Sequence, residues 1–179
     1  DDIIVLGNSL VKMYDFIPDV AYKISVIENA LTFDVLPCDL VSNIENEVTF
    51  IFLSNLIFSK GYLDVAEAAD CLNKTGCSNF RLVFAGAFME SPDDPDDLIS
   101  RQESFLKLVD DNSNIEYVGS ISGLDKRNLL ISADVLLLPT HYHVEGQPNC
   151  IIEAMAYSCA IISTNYRSIP DLIDETNGF

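Results

Sequence analysis

From residue 47 onward the apolar positions follow two rhythms in turn. Residues 48–53 (VTFIFL) form a continuous β-branched and aromatic run, the pattern of a strand covered on both faces. Residues 60–73 then place Leu63, Ala66, Ala69 and Leu72 at helical spacing. The alternation repeats. Strand-like runs occupy 80–85, 115–118 and 135–138, the first two closed by Gly86 and Gly119, and helices are predicted over 98–110 and 124–132. A polar loop at 140–148 leads to a predicted helix over 149–158 and a further apolar run at 160–162. A helical turn at 169–173 is started by Pro170. Strands alternating with helices of this length predict an α/β fold, a doubly wound parallel Rossmann-like sheet with helices on both faces and right-handed crossovers.

Ahead of residue 47 the rhythm is broken. Residues 3–6 read as a short strand and 9–14 as a helical turn. Pro18 marks a break, 23–28 alternates as a strand, and 31–46 is a polar connection carrying Pro37. A boundary is placed near residue 21, with residues 1–21 a fragment of another sheet and 22–179 the main domain.

Composition narrows the function more than the fold. The chain is 49% hydrophobic, enough for a sizeable core, yet no apolar run approaches the ~20 residues that span a bilayer. A net charge of −18 argues against nucleic acid and anionic membrane surfaces, and it makes each of the 10 Lys and Arg residues informative. Five cysteines at irregular spacing, without a C-x-x-C pair, suit a reducing compartment and are read as small buried hydrophobes. Neither they nor the only two histidines, His141 and His143, have the spacing of a metal site. The acidic run at 93–97 sits between prolines just before a helix and reads as a solvated helix start. Asn73-Lys74-Thr75 fits a glycosylation sequon and is taken as chance. Neither G-x-G-x-x-G nor G-x-x-x-x-G-K-[ST] occurs, which weakens dehydrogenase and P-loop readings.

The residues best placed for chemistry lie at 134–164, where a strand ends in a polar loop that feeds a helix. In an α/β sheet such a crevice is where ligands bind. Glu145 lies in the loop, and Glu153 in the helix, four residues after Asn149 and on the same face. Gly146 and Pro148 allow close backbone approach, and the amides near Gln147 and Asn149 are unpaired donors at the positive end of the helix. Lys60, at a predicted helix start, opposes the helix dipole and hints at an anion to be held. Taken alone, two such glutamates are more often solvated surface groups, and a lone lysine likewise.

The segment Glu145-Gly146-Gln147-Pro148 followed by Glu153-Ala154-Met155-Ala156 resembles the E-x(7)-E segment of family 4 retaining glycosyltransferases, which have the GT-B fold of two Rossmann-like domains across a cleft. Further likenesses follow in order along the chain. Residues 52–61 resemble the family's strand and G-R-x-x-x-x-K-G turn, 82–86 its L-x-I-x-G strand, and 115–119 its V-x-F-x-G strand. Residues 133–139 resemble A-D-V-x-x-x-P-S, 168–173 with 177–179 resemble G-I-P-E-x-I and N-G-F, and 23–36 resemble K-I-x-V-I-x-N-G-V-D.

The resemblance implies a C-terminal donor-nucleotide domain, with the acceptor domain upstream of Asp1 and the last sheet elements beyond Phe179. It implies a nucleotide-diphosphate sugar as donor, no metal or other cofactor, and a carbohydrate or lipid-linked acceptor held by the other domain. By position, Glu153 is expected on the ribose hydroxyls and Glu145 near the donor sugar and reacting centre. The amides of Gly146, Gln147 and Asn149, with Pro148 between them, are expected on the sugar and diphosphate, Lys60 on the diphosphate, and the backbone of Ser120 and Ile121 on the base. Asn55 stands where the family has an arginine, giving a hydrogen-bond donor without charge; residues 165–168 replace a glycine-rich stretch and include Arg167. The resemblance also implies a role in polysaccharide biosynthesis in the cytoplasm, with a peripheral membrane position open to the full-length protein. The alternatives are a non-catalytic nucleotide-sugar-binding module and a GT-B epimerase or phosphorylase.

Overall fold

The computed structural model describes residues 2–31, 47–92, 94 and 97–179. Residues 32–46 of the predicted connection, Cys38 among them, and most of the acidic run therefore lie outside the described residues. Two sheets are present among those described. The smaller pairs β1 (Ile3–Val5) in parallel with β2 (Ile24–Val26), with α1 (Asn8–Val11) between them. The larger contains β3 (Val48–Leu53), β4 (Phe80–Ala85), β5 (Ile115–Tyr117), β6 (Val135–Leu138) and β7 (Ala160–Ser163). Its order is β5-β4-β3-β6-β7 and every pairing is parallel. This is the doubly wound Rossmann-like arrangement predicted from the alternation.

Four helices connect these strands: α2 (Tyr62–Lys74), α3 (Leu98–Asp110), α4 (Gly123–Ser132) and α5 (Asn149–Ala156). The chain winds outward from β3 to β4 and β5, then returns to lay β6 on the other side of β3. Right-handed crossovers therefore put α2 and α3 on one face of the sheet and α4 and α5 on the other. The core is the sandwich between. Ile51, Phe52, Phe84, Leu136 and Ile161 are fully buried in the strands. Phe105 of α3 meets Phe84, Tyr62, Phe88 and Tyr117 edge-on, with ring centroids 5.0–5.7 Å apart.

Strand 24–26 pairs in parallel with residues 3–5, on the other side of residue 21. Two local expectations are corrected. Helix α2 begins at Tyr62 rather than at residue 60, because Phe58–Lys60 forms its own 3-10 turn and Gly61 (φ 79°) reverses the backbone between the two. A Cβ there would stand 2.7 Å from the Pro139 carbonyl oxygen, so only glycine lets this turn lie against the end of β6. The buried face of α2 is accordingly Tyr62, Val65, Ala66 and Ala69, and Leu72 is exposed.

The acidic helix start is also only half solvated. Asp97 caps α3, accepting from the Ser100 amide at 3.2 Å, as a helix start should. Asp94, however, is buried against Arg101 at 2.8 Å.

Candidate functional site

The sheet's winding reverses between β3 and β6. Loops leaving neighbouring strands at such a switch point diverge and leave a crevice at the carboxyl ends. A cavity of about 410 Å³ lies there. Its floor is the end of β3 with Ser54 and Asn55, its far wall the loop after β5 with Ser120 and Ile121, and its near wall the start of α5. Of the residues singled out from sequence, Asn55, Lys60, Ser120, Ile121, Glu145, Gln147, Pro148, Asn149 and Glu153 all line it. Gly146 does not. It sits behind the wall, its carbonyl accepting from the Ser168 hydroxyl and its Cα facing Leu6 of the small sheet's strand region.

Glu145 is buried rather than solvated. Its Oε2 accepts from the hydroxyl of fully buried Thr140 at 2.9 Å, and Lys60 Nζ stands 3.4 Å from both carboxylate oxygens. Lys60 lies over the Tyr142 ring, 5.4 Å from its centroid. The loop is tied to the lysine's turn by the His141 amide, which donates to the Ser59 carbonyl at 2.7 Å. The two sides of the switch point thus reach each other through an ion pair, a backbone bond and the contact of Lys60 with the Tyr142 ring.

Glu153 is also nearly buried, on the first turns of α5 between Ile151 and Ala154, which have no exposure at all. Its partner is Lys126 of α4, with Nζ 2.7 Å from Oε1 and 2.6 Å from Oε2. Nothing in the local sequence singled out Lys126. It and Glu153 are 27 residues apart on different helices, and only the shared face of the sheet brings them together. The cavity therefore carries two lysines and two glutamates, each lysine matched to one glutamate.

The near wall is anchored from outside the main sheet. The Asn29 amide donates to Gln147 Oε1 at 2.5 Å, and Asn29 Nδ2 donates to the Gln147 carbonyl at 2.8 Å. Because a backbone N–H can only donate, this fixes which end of the Gln147 amide is oxygen, and leaves Nε2 a buried donor without a hydrogen-bond partner among the described residues. Pro148 precedes α5 without a side-chain cap, so the first amides of that helix are offered to the cavity by the two residues that line it, Asn149 and Cys150. Among the described residues no group of three or more His, Cys, Asp or Glu is arranged to hold a metal ion.

The cysteines depart from the expectation that all are buried. Cys71 and Cys77 are exposed, Cys150 borders the cavity, and Cys159 is buried. Desolvation pushes the Cys150 thiol up to about 12, with Glu145 and Glu153 adding to the rise and Lys60 opposing it, and pushes Cys159 up to about 11. A folded-state thiol raised above its ordinary 9.0 favours folding fully below that pH and loses the contribution as pH climbs toward 11–12. Alkylation at pH 8 followed by peptide mass spectrometry is expected to modify Cys71 and Cys77 well before Cys150 and Cys159. Equal labelling of Cys150 would contradict a protonated thiol there.

A parallel sheet of this order with a polar cavity at its switch point defines a Rossmann-like domain. The chain belongs to the family Glycosyl transferases group 1, whose model matches residues 47–179. Over 126 residues it is 24% identical to the capsular polysaccharide biosynthesis glycosyltransferase CapH of Staphylococcus aureus, a match covering 69% of this chain and 32% of CapH. Among solved structures, HepE of Anabaena in complex with UDP and glucose superposes with a TM-score of 0.72 at 16% identity, covering 99% of this chain and 48% of HepE. Sucrose-phosphate synthase of Thermosynechococcus elongatus gives 0.73 at 18% identity, covering 100% and 44%. The C-terminal domain of the group 1 glycosyltransferase LpcC of Francisella tularensis gives 0.56 at 22% identity, covering 74% and 66%. The chain thus spans about a third of CapH and about half of HepE. No helix among the described residues is long and apolar enough to cross a membrane.

Proposed function

We propose that the chain is the donor-binding half of a retaining glycosyltransferase, which moves a sugar from a nucleotide-diphosphate donor to a carbohydrate or lipid-linked acceptor held by the other half. The observation that carries this reading is the convergence, in one cavity at the switch point, of two matched Lys–Glu pairs, an uncapped helix start and the Ser120–Ile121 backbone. HepE, of the same fold, was also solved with UDP-glucose.

Each part has a role the geometry suits. Ser120 and Ile121 offer backbone to the base, and Glu153 accepts from the ribose hydroxyls. Lys60 and the amides of Gln147 and Asn149 take the diphosphate, with Asn55 adding a neutral hydrogen-bond donor. Glu145, held by Thr140, faces the donor sugar. As the bond from the sugar carbon to the diphosphate breaks, negative charge grows on the leaving oxygen, and Lys60 with the preorganised amides stabilises it without reorganisation. This scheme uses cations and amides of the protein rather than a metal. On this reading an acceptor-binding half completes the cleft, and the reaction belongs to polysaccharide biosynthesis in the cytoplasm.

Calorimetric titration tests the donor site. UDP, GDP or ADP is expected to bind the chain, and Glu153→Ala to weaken that binding about tenfold or more, the effect of losing charge-assisted hydrogen bonds. Absence of binding by all three, or binding by Glu153→Ala as tight as by the native chain, would sink the assignment.

A further inference from the structure

The contact between Lys126 and Glu153 says more than that a cation is present. Its Nζ is nearly equidistant from the two carboxylate oxygens, 2.7 Å from Oε1 and 2.6 Å from Oε2, so the ammonium sits astride the carboxylate, in the notch between them. A vicinal diol bound by one carboxylate needs that same notch, one hydroxyl donating to each oxygen. Lysine and diol are therefore alternatives for the same lone pairs.

The two partners are unequally free to move. Glu153 is set on α5, whose neighbouring residues Ile151 and Ala154 are locked in the core. Lys126 is the more exposed of the pair, at 29% against 12% for the glutamate side chain, and stands at the rim of the cavity on a four-carbon stem. When the notch is contested, the lysine is the group that swings away.

Accepting Glu153 as the ribose acceptor, we propose that Lys126 is a specificity-determining residue that caps the ribose subsite and is displaced by the 2′,3′-diol of the donor. Before a nucleotide enters, the cap keeps a nearly buried carboxylate from standing unpaired. It also sets a threshold. A ligand that brings two hydroxyl donors replaces the ammonium bond for bond, whereas one without the diol leaves the lysine in place and gains nothing from Glu153. The nucleoside that enters is selected for its sugar as well as for its base.

The test compares each ribonucleoside diphosphate with its 2′,3′-dideoxy form, using UDP, GDP and ADP on the 179-residue chain. The ratio of the two affinities isolates the diol, because base and diphosphate are common to both ligands. Lys126→Ala is expected to raise the ratio about tenfold, since the diol no longer competes with an ammonium. Lys126→Arg is expected to lower it toward one, since a guanidinium grips both carboxylate oxygens in a fixed fork. Loss of cavity charge in Lys126→Ala weakens both ligands alike and leaves the ratio untouched. A ratio that stays constant or falls in Lys126→Ala overturns the cap and makes Lys126 a support for the bound carboxylate. Failure of every diphosphate to bind the native chain overturns the donor site itself.

Discussion

Gly86→Ala is expected to lower the stability of the chain by about 3 kcal/mol or more, a loss of roughly 6–12 °C in melting temperature for a domain of this size. Gly86 closes β4 with φ 157°. A Cβ built there would lie 1.9 Å from the Ser54 carbonyl oxygen and 2.6 Å from its carbon. Neither atom is the end of a flexible side chain; both are main chain leaving the central strand. The position is pinned on its other sides as well, its amide donating to the Gly119 carbonyl at 2.9 Å and its carbonyl accepting from the Tyr117 hydroxyl at 3.0 Å. Relief must come from the backbone of Ser54 and Asn55, which is the cavity floor, so the variant should lose nucleotide binding along with stability. Gly76→Ala is the control. Its φ of 86° carries left-handed strain, but nothing lies within 4 Å of the added carbon, and it should cost only about 1–2 kcal/mol. Equal melting temperatures for the two variants would show that the close approach to Ser54 is not what requires glycine.

Lys60→Met is expected to weaken nucleoside diphosphate binding about 10–100-fold while leaving the uncharged nucleoside unaffected. The reasoning is one of supply. In a chain with 28 acidic and 10 basic residues, few cations are available to a diphosphate, and Asn55 contributes none. Removing Lys60 also leaves Glu145 buried with a neutral hydroxyl as its remaining partner, which should cost about 1–2 kcal/mol of stability, less than for a deeply buried pair because the 3.4 Å contact is long. The double change Lys60→Met with Glu145→Gln removes the stranded charge and should restore stability but not binding. If nucleoside and diphosphate weaken together in Lys60→Met, the lysine acts on the fold of its turn and not on phosphate.

The contrast between these two sites shows what was legible in the chain. The run VTFIFL announced the central strand, and the glycines at 86 and 119 marked where strands end. Those are local properties, set by two or three bonds, and local properties can be read from order alone. Glu145 and Glu153 were visible because their spacing and flanking residues form a recognisable segment; as bare carboxylates they would have passed for surface charge. Lys126 and Thr140 were not visible. Each is ordinary in its own neighbourhood and acquires meaning from a partner on another element or across a loop. Strand 24–26 was recognised as a strand while its neighbour in space was missed. The buried pair of Asp94 and Arg101 shows the same limit at short range, since a carboxylate between prolines looks solvated until a helix folds back over it.

Asn29 holds Gln147 by both its main-chain and its side-chain nitrogen, and Ser9 beside β1 donates twice to Asp171, beyond β7. These are two of the handles by which the small sheet's segment holds the main body, and one of them is only two residues from Glu145. By reciprocity, a ligand that binds the cavity more tightly when Asn29 holds Gln147 must strengthen that hold by the same factor. On the proposed donor-site reading, occupancy of the cavity and attachment of the small sheet are linked in free energy.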